Sequence, residues 1–551
     1  MKQTVVILVL ALVGGMVMGT IGNPGLSAQA AAAGSRSPLA GHATNLGRAP
    51  AHFPLHIVVG LDLHNKAALD AFIADVSDPA SPNFQHFLSQ DEFNALYGPT
   101  PEEEQRVVEW LTASGFQVTE RFTNRLLVGA AGNNAAAERA FGVSVHTVLF
   151  QGEAKYAALQ EPSFPTAMAG FITGVMGLDN LMEMRPRLHT KPTVAPNAKL
   201  GTNCCHFSPN DLFTFYNDTA GLAGSGQTIV IAGAYAWKDT DQTTFNTQWS
   251  LPQLPTGSGQ VCTGKPSSPG CKFSLQNSIE ISLDVEYSHS TAPAAQILNY
   301  MAASTSWADF AKMYNKIVMD NPGHIVSTSW GSCESGLSTS VQITNNNIFA
   351  NGNAIGQSWF AASGDNGSSD CGGSSTPLLV DHPANSPHVM GVGGTAAACS
   401  SGMSSGSTAC GGYGAESAWS GSGGGKSLVF SKPLWQTGCN VPADGARDVP
   451  DVSLAADPNQ YGNYVINNGA WYIVGGTSAA APQWAGFFAE LNEKKGGSGL
   501  GLPGVRIYQL CGTSAYHDIT SGSNGAYSAS PGYDQTTGVG TINAYDLLTT
   551  Y

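Results

Sequence analysis

A serine in a run of small residues is the first candidate for chemistry in this sequence. Ser478 lies within residues 475–482, between a strand-like stretch at 472–474 and a helix-like stretch at 483–491. A serine at such a junction presents its hydroxyl beside the backbone N–H groups of the helix start, which suits a nucleophile that needs an oxyanion pocket. The alternative is an ordinary turn followed by a helix N-cap. Ser478 therefore needs an acid–base partner elsewhere in the chain.

Two carboxylates at helical spacing are suited to be that partner. Glu280 and Asp284 stand four residues apart in the helix-like segment 278–287, so their Cβ atoms lie on one face, roughly 5–6 Å apart. Two acids so close suit a site where one takes a proton and the other orients it. The alternative, a solvated acidic face, is disfavoured by the apolar residues around the pair.

The residues around Asp365 and around the histidines indicate which mechanism to expect. Asp365 follows an apolar strand in a glycine-rich setting, where aspartate is usually a turn residue. Held near a reacting carbonyl at acid pH, it would instead be protonated and donate a hydrogen bond to the oxyanion. Neutral imidazole is scarce at acid pH, whereas a carboxylate with a pKa of about 4 stays a competent base, which favours Glu280. None of the histidines after residue 206 has the His-Gly-Thr setting of subtilisins; they are His289, His324, His382, His388 and His517.

Short apolar strands alternate with longer helical segments after residue 208. This pattern is typical of a parallel sheet that helices cover on both faces. Ligands of such sheets bind at the carboxyl ends of the strands, where the candidate residues fall. The predicted strands are 228–232, 296–300, 324–328, 358–362 and 389–392.

The first half of the chain predicts a small, separate α+β domain. A strand at 55–61 precedes helical patterns at 66–76, from Pro101 onward and at 134–141. Residues 185–201 are rich in Pro, Lys, Thr and Asn, which is typical of an exposed, extended linker where proteolysis concentrates. The predicted division is a signal peptide at 1–30, a removable domain at 31–188, a linker with the maturation cleavage at 189–203 and the main domain at 204–551.

The composition limits the compartment and the partners. Charged residues make up 11% of the 551 residues, against roughly 25% in typical globular proteins, and the formal net charge is −15. A negative balance argues against nucleic-acid binding, and a low charge content tolerates acid. Lys2, the apolar run 5–19 and the small residues 28–30 predict a cleaved secretory signal peptide. The alternative is a membrane anchor, which needs about 20 apolar residues.

Ten cysteines agree with export. None lies before residue 204 and no Cys-x-x-Cys occurs, so disulfides are favoured over zinc. Short separations suggest the pairs Cys262–Cys271 and Cys399–Cys410. The full connectivity stays open, including whether Cys204 bonds to Cys205; the other cysteines are Cys333, Cys371, Cys439 and Cys511.

Taken in order, these motifs resemble those of the sedolisins, the serine-carboxyl peptidases, and especially the kumamolisin-like members made with an activation prodomain. Glu-x-x-x-Asp matches Glu280 and Asp284, Gly-Asp-x-Gly matches Asp365, and Gly-Thr-Ser-x-x-x-Pro matches Ser478 and Pro482. The resemblance implies a subtilisin-like α/β fold, with a parallel sheet and helices on both faces, preceded by a small α+β ferredoxin-like prodomain. Prodomain-like segments are 87–89, 110–111 and 139–143.

The same resemblance implies a role for each site residue. Ser478 attacks the scissile carbonyl, Glu280 takes its proton, Asp284 supports Glu280, and Asp365 helps to hold the oxyanion. A family segment that lines the substrate cleft matches Ser329, Trp330 and Gly331. The alternative for that segment is a strand end with a core tryptophan.

A calcium site near the C-terminus is also implied by the resemblance. One Ca²⁺ would be bound by the carboxylates of Asp518 and Asp534 and by the backbone oxygens of Ile519, Ser530 and Gly532. Ser530 stands where related enzymes often have glycine, and a backbone ligand tolerates that change if the local dihedral angles do.

The expected protein is a secreted acid endopeptidase, made as a precursor and matured by its own cleavage in or near the linker. Its partners would be polypeptide substrates and its own prodomain, which acts as intramolecular inhibitor and folding aid. We expect a monomer with no nucleic-acid partner and no membrane contact after signal removal. The alternatives are a tripeptidyl exopeptidase on the same scaffold, a catalytically inactive secreted binding homologue and a His-dependent subtilase.

Overall fold

The computed structural model describes residues 29–31, 34–191, 206–370, 378–404 and 407–551. Most of the expected signal peptide and three cysteines, Cys204, Cys205 and Cys371, lie outside these ranges. The strand Gln29–Ala31, which includes the last two residues of that expected peptide, pairs with Ser163–Pro165. No helix in the part of the chain described here is long and apolar enough to span a membrane.

The first half of the chain is an antiparallel α+β unit followed by two short linker strands. Its helices are α1 (Lys66–Ser77), α2 (Gln90–Leu96), α3 (Pro101–Ala113) and α4 (Asn134–Phe141). Its strands are β1 (Gln29–Ala31), β2 (Thr44–Arg48), β3 (Pro54–Leu61), β4 (Gln117–Arg121), β5 (Leu127–Asn133), β6 (Val145–Phe150), β7 (Glu153–Ala158), β8 (Ser163–Pro165) and β9 (Ile172–Met176), with β10 (Arg185–Pro186) and β11 (His189–Lys191) in the linker.

The main sheet of this unit has the order β4-β5-β3-β9, and all its pairs are antiparallel. With helices between β3 and β4 and between β5 and β9, this order is the ferredoxin-like arrangement. The helix predicted to begin at Pro101 does so, because the side chains of Thr100 and Glu103 form a capping box. The predicted prodomain fold is confirmed.

The second half contains the remaining elements. Its helices are α5 (Pro209–Phe215), α6 (Asp239–Trp249), α7 (Ser278–Thr291), α8 (Trp307–Asp320), α9 (Thr339–Ala354), α10 (Thr477–Lys494), α11 (Gly504–Gln509) and α12 (Ala544–Thr550). Its strands are β12 (Thr228–Gly233), β13 (Gly259–Cys262), β14 (Gln296–Met301), β15 (Ile325–Thr328), β16 (Trp330–Cys333), β17 (Ser358–Ala362), β18 (Asp381–His382), β19 (Met390–Cys399), β20 (Gly402–Ser404), β21 (Ser407–Cys410), β22 (Tyr413–Ala418), β23 (Gly425–Ser431), β24 (Ala446–Val449), β25 (Val452–Ala455), β26 (Asn463–Asn467), β27 (Ala470–Gly475), β28 (Tyr516–His517) and β29 (Thr541–Ile542).

A twisted sheet of order β13-β14-β12-β15-β17-β19-β25-β29-β28 forms the centre of this half, parallel from β13 to β29. Successive residues of β12 point to opposite faces, as strand geometry requires. Ile229 and Ile231 join the apolar cluster of α7 and α10, whereas Val230 and Ala232 join that of α8 and α9. All five predicted strands are present, and helices cover both faces.

The two halves pack together along α9, which contacts α1 and β9. Thr173 and Thr344 share a hydrogen bond of 2.7 Å across this boundary, and Asn124 donates to Asn315 at 2.7 Å. Apolar residues of both halves belong to one cluster at this boundary, so the first domain packs directly against the second.

The predicted local disulfides Cys262–Cys271 and Cys399–Cys410 are both formed. A third disulfide joins Cys439 to Cys511, and Cys333 is also disulfide-bonded. The separation of 72 residues between Cys439 and Cys511 explains why sequence spacing did not indicate that pair.

Candidate active site

Ser478 lies at the first turn of α10, directly after β27, as its setting predicts. Gly476 is the residue before the helix and has a φ of 113°, a left-handed value that side chains disfavour. The Ser478 side chain is fully buried, and its Oγ lies 3.4 Å from the backbone oxygen of Ser329. At this helix start the N–H of Thr477 donates to Asp365 and the N–H of Ser478 donates to the carbonyl of Arg187. Donors beside the Ser478 hydroxyl make the position suitable for binding a negative oxygen.

Glu280 and Asp284 lie on the face of α7 that meets α10, and both are fully buried. The hydroxyl of Ser329 donates to Asp284 Oδ1 at 2.6 Å. Neither side-chain oxygen of Glu280 has a hydrogen-bond partner of good geometry among the described residues, although the hydroxyls of Ser478 and Ser329 lie close enough to affect its ionisation. A buried carboxylate beside a serine hydroxyl is poised to accept a proton from it.

Burial controls the ionisation of this pair. It raises the pKa of Glu280 well above its ordinary value, and the charge of Asp284 raises it further, against the effect of the nearby Ser478 hydroxyl. Burial also raises the pKa of Asp284, to about 8, against the hydrogen bond from Ser329. Since two neighbouring buried acids do not both ionise readily, the pair retains a proton over a wide pH range. The ordinary carboxylate pKa that the sequence analysis assumed for Glu280 is therefore not kept in the fold, because burial raises it.

Asp365 follows β17 and faces the start of α10. Its Oδ1 accepts hydrogen bonds from the N–H of Thr477 at 2.8 Å and from the Thr477 hydroxyl at 2.9 Å. Its Oδ2 is buried without a hydrogen-bond partner in the described chain, and His189 Nε2 lies 3.7 Å from it. Burial raises the pKa of Asp365 to about 8, so this carboxyl is a hydrogen-bond donor at acid pH.

The segment from β10 to β11 crosses the site as an extended chain. Arg185 and Pro186 pair antiparallel with Gly331 and Trp330, and further on β11 pairs antiparallel with β27. Between the two strands, the N–H of Arg187 donates to Ser329 O at 3.0 Å. The carbonyl of Arg187 in turn accepts the N–H of Ser478, also at 3.0 Å. A peptide carbonyl of the chain itself is thereby held at the candidate nucleophile.

Gly476 explains how this carbonyl and Asp365 come together. A Cβ on Gly476 would lie 2.5 Å from the carbonyl oxygen of Arg187 and 2.5 Å from Oδ2 of Asp365. Both oxygens therefore border the space that a side chain would occupy. Only glycine leaves that space open and accepts the backbone conformation found here.

The predicted cleft residues Ser329, Trp330 and Gly331 contribute chiefly through their backbone. All three border the extended segment described above, and Ser329 follows β15 at the carboxyl end of the central sheet. The Trp330 indole is buried in the core, where it packs against Tyr235 and Phe310. The backbone of this segment thus borders the candidate cleft, whereas the Trp330 side chain belongs to the core.

The linker differs from the sequence-based expectation of an exposed segment. Between residues 185 and 191 it is extended, but it is paired on both sides, and the Arg187 side chain is only 11% exposed. Its guanidinium forms an ion pair with Asp381, which is fully buried. The sequence reasoning missed Arg187 and Asp381, because an isolated basic residue in a linker and an aspartate far along the chain carry no motif.

The predicted calcium ligands lie around one turn. The N–H of Gly532 donates to both carboxylate oxygens of Asp518, at 3.2 and 3.1 Å, and the N–H of Ser530 donates to Asp534 Oδ2 at 3.1 Å. The carbonyl oxygens of Ile519, Ser530 and Gly532 accept no backbone hydrogen bond within the described ranges. Two carboxylates and free carbonyls form an all-oxygen donor set that fits a hard cation such as Ca²⁺. No group of three or more His, Cys, Asp or Glu residues suited to a metal occurs in the described chain, so backbone ligands would be essential here.

The histidines considered as possible bases bond elsewhere. Across the described ranges, His289 contacts the backbone oxygen of Pro252, His382 contacts Asn345 and Asn385, and none shares a hydrogen bond with Ser478. A Ser–His couple is therefore not formed at Ser478.

Both halves of the chain are similar to known protein families. Residues 41–181 match the pro-kumamolisin activation domain, and residues 257–540 match the subtilase family. Sedolisin from Pseudomonas sp. (strain 101) is 30% identical over 520 residues, covering 89% of this chain and 86% of the relative. Tripeptidyl-peptidase 1 from Mus musculus is 26% identical and covers 92% of this chain and 93% of the relative.

The fold comparison points the same way. The solved structure of Pseudomonas sedolisin, a serine-carboxyl proteinase complexed with two molecules of pseudo-iodotyrostatin, aligns with a TM-score of 0.57 and 28% identity. The alignment covers 63% of this chain and 98% of that one. The chain therefore belongs to the sedolisin family of serine-carboxyl peptidases and carries its activation prodomain.

Proposed function

We propose that the chain is the precursor of a secreted acid endopeptidase that cuts polypeptides through an acyl-enzyme on Ser478. The observation that carries this proposal is the position of the Arg187 carbonyl, held by the Ser478 N–H next to a buried carboxylate pair. Ser478 and Glu280 supply a nucleophile and a base without an imidazole. A site that holds a peptide carbonyl at its candidate nucleophile in this way has the geometry expected of a substrate complex.

In this mechanism Ser478 Oγ attacks the carbonyl carbon while its proton passes to Glu280. Asp284, held by the Ser329 hydroxyl, keeps Glu280 in place and shares its charge. The oxyanion is stabilised by the Ser478 N–H and by the protonated Oδ2 of Asp365. Glu280 then returns its proton to the leaving amine, and water hydrolyses the ester in the same way.

The path of the bound segment supports an endopeptidase rather than a tripeptidyl exopeptidase. An enzyme that releases tripeptides needs the free amino group three residues before the cut. Here the chain continues upstream of Arg185, and the N–H of Met184 donates to Thr305 O at 2.9 Å. A cleft that accepts chain on both sides of the reacting carbonyl suits internal cleavage. The likeness to tripeptidyl-peptidase 1 keeps exopeptidase activity as the second candidate.

The composition and the burial of Asp365 support activity at acid pH, and the disulfides support export. The low charge content and the protonated state of Asp365 below a pKa of about 8 favour catalysis in acid. The disulfides found in the second half suit an exported protein. We further propose one Ca²⁺ site with a structural role. Its ligands would be Asp518, Ile519, Ser530, Gly532 and Asp534.

Matched peptides test this function. One peptide is prepared with a free amino terminus and again with an acetylated one, and both are incubated at pH 4 with the processed enzyme and with the Ser478→Ala protein. An endopeptidase cuts both peptides at the same internal bond, and Ser478→Ala cuts neither. Release of tripeptides from the free peptide alone would establish the exopeptidase. Cleavage by the Ser478→Ala protein, or no cleavage by the wild type, would contradict the proposal.

A further inference from the structure

We propose that residues 34–39 form an N-terminal clamp that holds the first domain on the second, and that the first domain leaves the active site only after this clamp opens. The clamp precedes residue 41, where the match to the pro-kumamolisin activation domain begins, so the likeness to that domain does not account for it. The inference concerns how the two halves are held together, and it does not depend on catalysis at Ser478.

The N-terminal clamp caps helix α9 of the second domain. The carbonyl of Gly34 accepts the N–H of Ser340 at 3.0 Å. In the same turn, the Ser338 hydroxyl accepts the N–H of Val341. The N–H groups in the first turn of an α-helix have no acceptor within the helix, so an outside carbonyl satisfies a donor that would otherwise be unpaired. The start of α9 therefore completes its hydrogen bonds with an oxygen from the first half of the chain.

A second contact fixes the clamp to the loop that precedes α9. The Ser37 hydroxyl donates to the backbone oxygen of Gly336 at 3.2 Å, and Ser37 is buried. A Cβ on Gly336 would lie 3.4 Å from Leu39 Cδ1, so the clamp also packs against this loop. The loop continues directly from β16, the strand that pairs with the linker strand β10. The clamp and the linker therefore hold one continuous strand and loop of the second domain from its two ends.

The clamp is fixed to the first domain as well. The Glu161 carboxylate accepts the N–H of Ser35 at 2.5 Å and the N–H of Arg36 at 3.1 Å. The Arg36 guanidinium donates to the backbone oxygen of Leu159 at 3.1 Å. Hydrogen bonds to an ionised carboxylate are stronger than those between neutral groups. The clamp therefore moves with the first domain and transmits its hold to α9.

Gly174 of β9 marks the place where the clamp, the first domain and the second domain meet. A Cβ on Gly174 would lie 2.7 Å from Ser35 Oγ and 2.3 Å from Ser340 Cβ. Ser35 is 4% exposed and Ser340 is 3% exposed. Packing this close leaves no room for water between the three elements, so their hydrogen bonds open only when the elements separate. Opening of the clamp therefore accompanies separation of the two halves.

Gly34 and the nearby Gly41 offer a matched pair of variants. Gly34 has a φ of 85°, and a Cβ there would lie 3.0 Å from the Cβ of Thr339. The φ of Gly41 lies outside the left-handed range, and a Cβ there would meet nothing within 4 Å. Gly34→Ala should therefore strain the contact with α9, whereas Gly41→Ala should leave it intact. Ser37→Ala removes the hydroxyl that bonds to Gly336 and adds no bulk.

Hydrogen exchange of the full-length Ser478→Ala precursor tests the clamp without catalysis. Mass spectrometry follows the amides of residues 337–344, at the start of α9, and those of β3 and β5, inside the first domain. We expect exchange in 337–344 to be at least about tenfold faster in Gly34→Ala and about threefold faster in Ser37→Ala. Gly41→Ala should match the parent precursor, and β3 and β5 should exchange equally slowly in all variants.

Three results of this experiment would overturn the inference. The first is unchanged exchange of residues 337–344 in Gly34→Ala. The second is an equal acceleration in β3 and β5, which would show that the first domain unfolds as a whole instead of releasing a clamp. The third is an acceleration in Gly41→Ala as large as that in Gly34→Ala.

The time course of activation tests the consequence for the active site. The active chain is brought to pH 4, mass spectrometry follows cleavage of the linker, and a fluorescent peptide follows activity. We expect activity to lag behind cleavage, because the clamp still holds the first domain after the linker is cut. The lag should be at least about tenfold shorter in Gly34→Ala and unchanged in Gly41→Ala.

Two results of the time course contradict the clamp. A wild type without a lag would show that the clamp does not limit release, and an equal lag in Gly34→Ala would show that Gly34 does not hold the first domain. A cut linker with a released first domain and no peptide hydrolysis would instead be a failure of the proposed function. In that case the exchange of residues 337–344 still decides whether the clamp exists.

Discussion

The N–H of Ser478 and the carbonyl of Arg187 are joined by a hydrogen bond of 3.0 Å. In the proposed mechanism this bond places a peptide unit of the precursor where a substrate carbonyl would lie, because the same N–H would stabilise the oxyanion when the carbonyl is attacked. The segment that crosses the site would therefore exclude other substrates from it. The same segment presents a peptide bond to the candidate nucleophile.

Glu280→Gln should abolish peptidase activity while preserving the fold. The amide keeps the size of the side chain but cannot accept the Ser478 proton, and loss of general-base catalysis costs roughly 10²–10⁴-fold. Initial rates on a peptide substrate at pH 4 measure the effect. Glu286→Gln is the matched control, because Glu286 is buried on the same helix but accepts its hydrogen bonds from Ile466 N. Activity of Glu280→Gln within threefold of the control would exclude Glu280 as the base.

Asp365 should set the alkaline limit of activity. Its pKa is raised to about 8 by burial, so the protonated donor is present in acid and is lost as the pH rises through that value. We therefore expect kcat/KM to fall as the pH rises through about 8, which gives the alkaline limb of the pH profile. In Asp365→Asn the donor no longer titrates, so the overall rate should drop by roughly 10²–10³-fold and the alkaline limb should disappear. An unchanged alkaline limb in the variant would assign it to another group.

The fold should be more stable in acid than at neutral pH. The buried Glu490 contributes a part of this pH dependence that can be tested separately. Its side chain is 1% exposed, both of its oxygens lack hydrogen-bond partners in the described chain, and burial raises its pKa to about 10. Because the folded state holds this proton and the unfolded state releases it, the contribution is complete below the ordinary glutamate pKa. It declines by about 1.4 kcal/mol per pH unit up to the folded pKa.

Urea unfolding of the Ser478→Ala precursor between pH 4 and pH 8 measures this slope. In Glu490→Gln one proton fewer is released on unfolding, so the free energy of unfolding should decline less steeply with pH. Glu109→Gln, on an exposed helix face, should leave that slope unchanged. Identical slopes in the Glu490→Gln variant and its parent would contradict the buried, protonated state of Glu490.

Calcium should stabilise the region around residues 518–534. Removal of calcium by a chelator should lower the Tm of the Ser478→Ala precursor by roughly 2–5 °C, with recovery on addition of Ca²⁺. Asp518→Asn should make the Tm independent of calcium, and Asp546→Asn, an acid outside the turn, should not. A Tm that the chelator leaves unchanged in the parent protein would exclude the site.

Much of the architecture was readable from the sequence because local patterns determined it. The apolar strand at 358–362 is found with the same bounds, since a strand buried on both faces admits almost no polar residue. Ser478, Glu280, Asp284 and Asp365 converge because each stands at the end of an element or on a helix face that the parallel sheet orients. Their roles as catalytic groups remain proposals that the variants above examine.

The ion pair between Arg187 and Asp381 could not be predicted in the same way. Asp381 belongs to a two-residue strand, and its ion pair with Arg187 joins residues far apart in sequence. The linker looked exposed because it is rich in polar residues. Its burial arises only from pairing with β16 and β27, which are themselves placed by the folded sheet.

The continuity of the chain through the cleft, together with the placement of the cysteines, has a consequence for how the enzyme would be switched on. While the segment is part of the same chain, it competes with substrates at an effective concentration on the order of millimolar. All ten cysteines lie after residue 203, so a cut in the linker before Cys204 would leave no covalent tether to the first domain. From that moment the released domain inhibits only as an ordinary dissociable ligand, and simple dilution after export would complete activation.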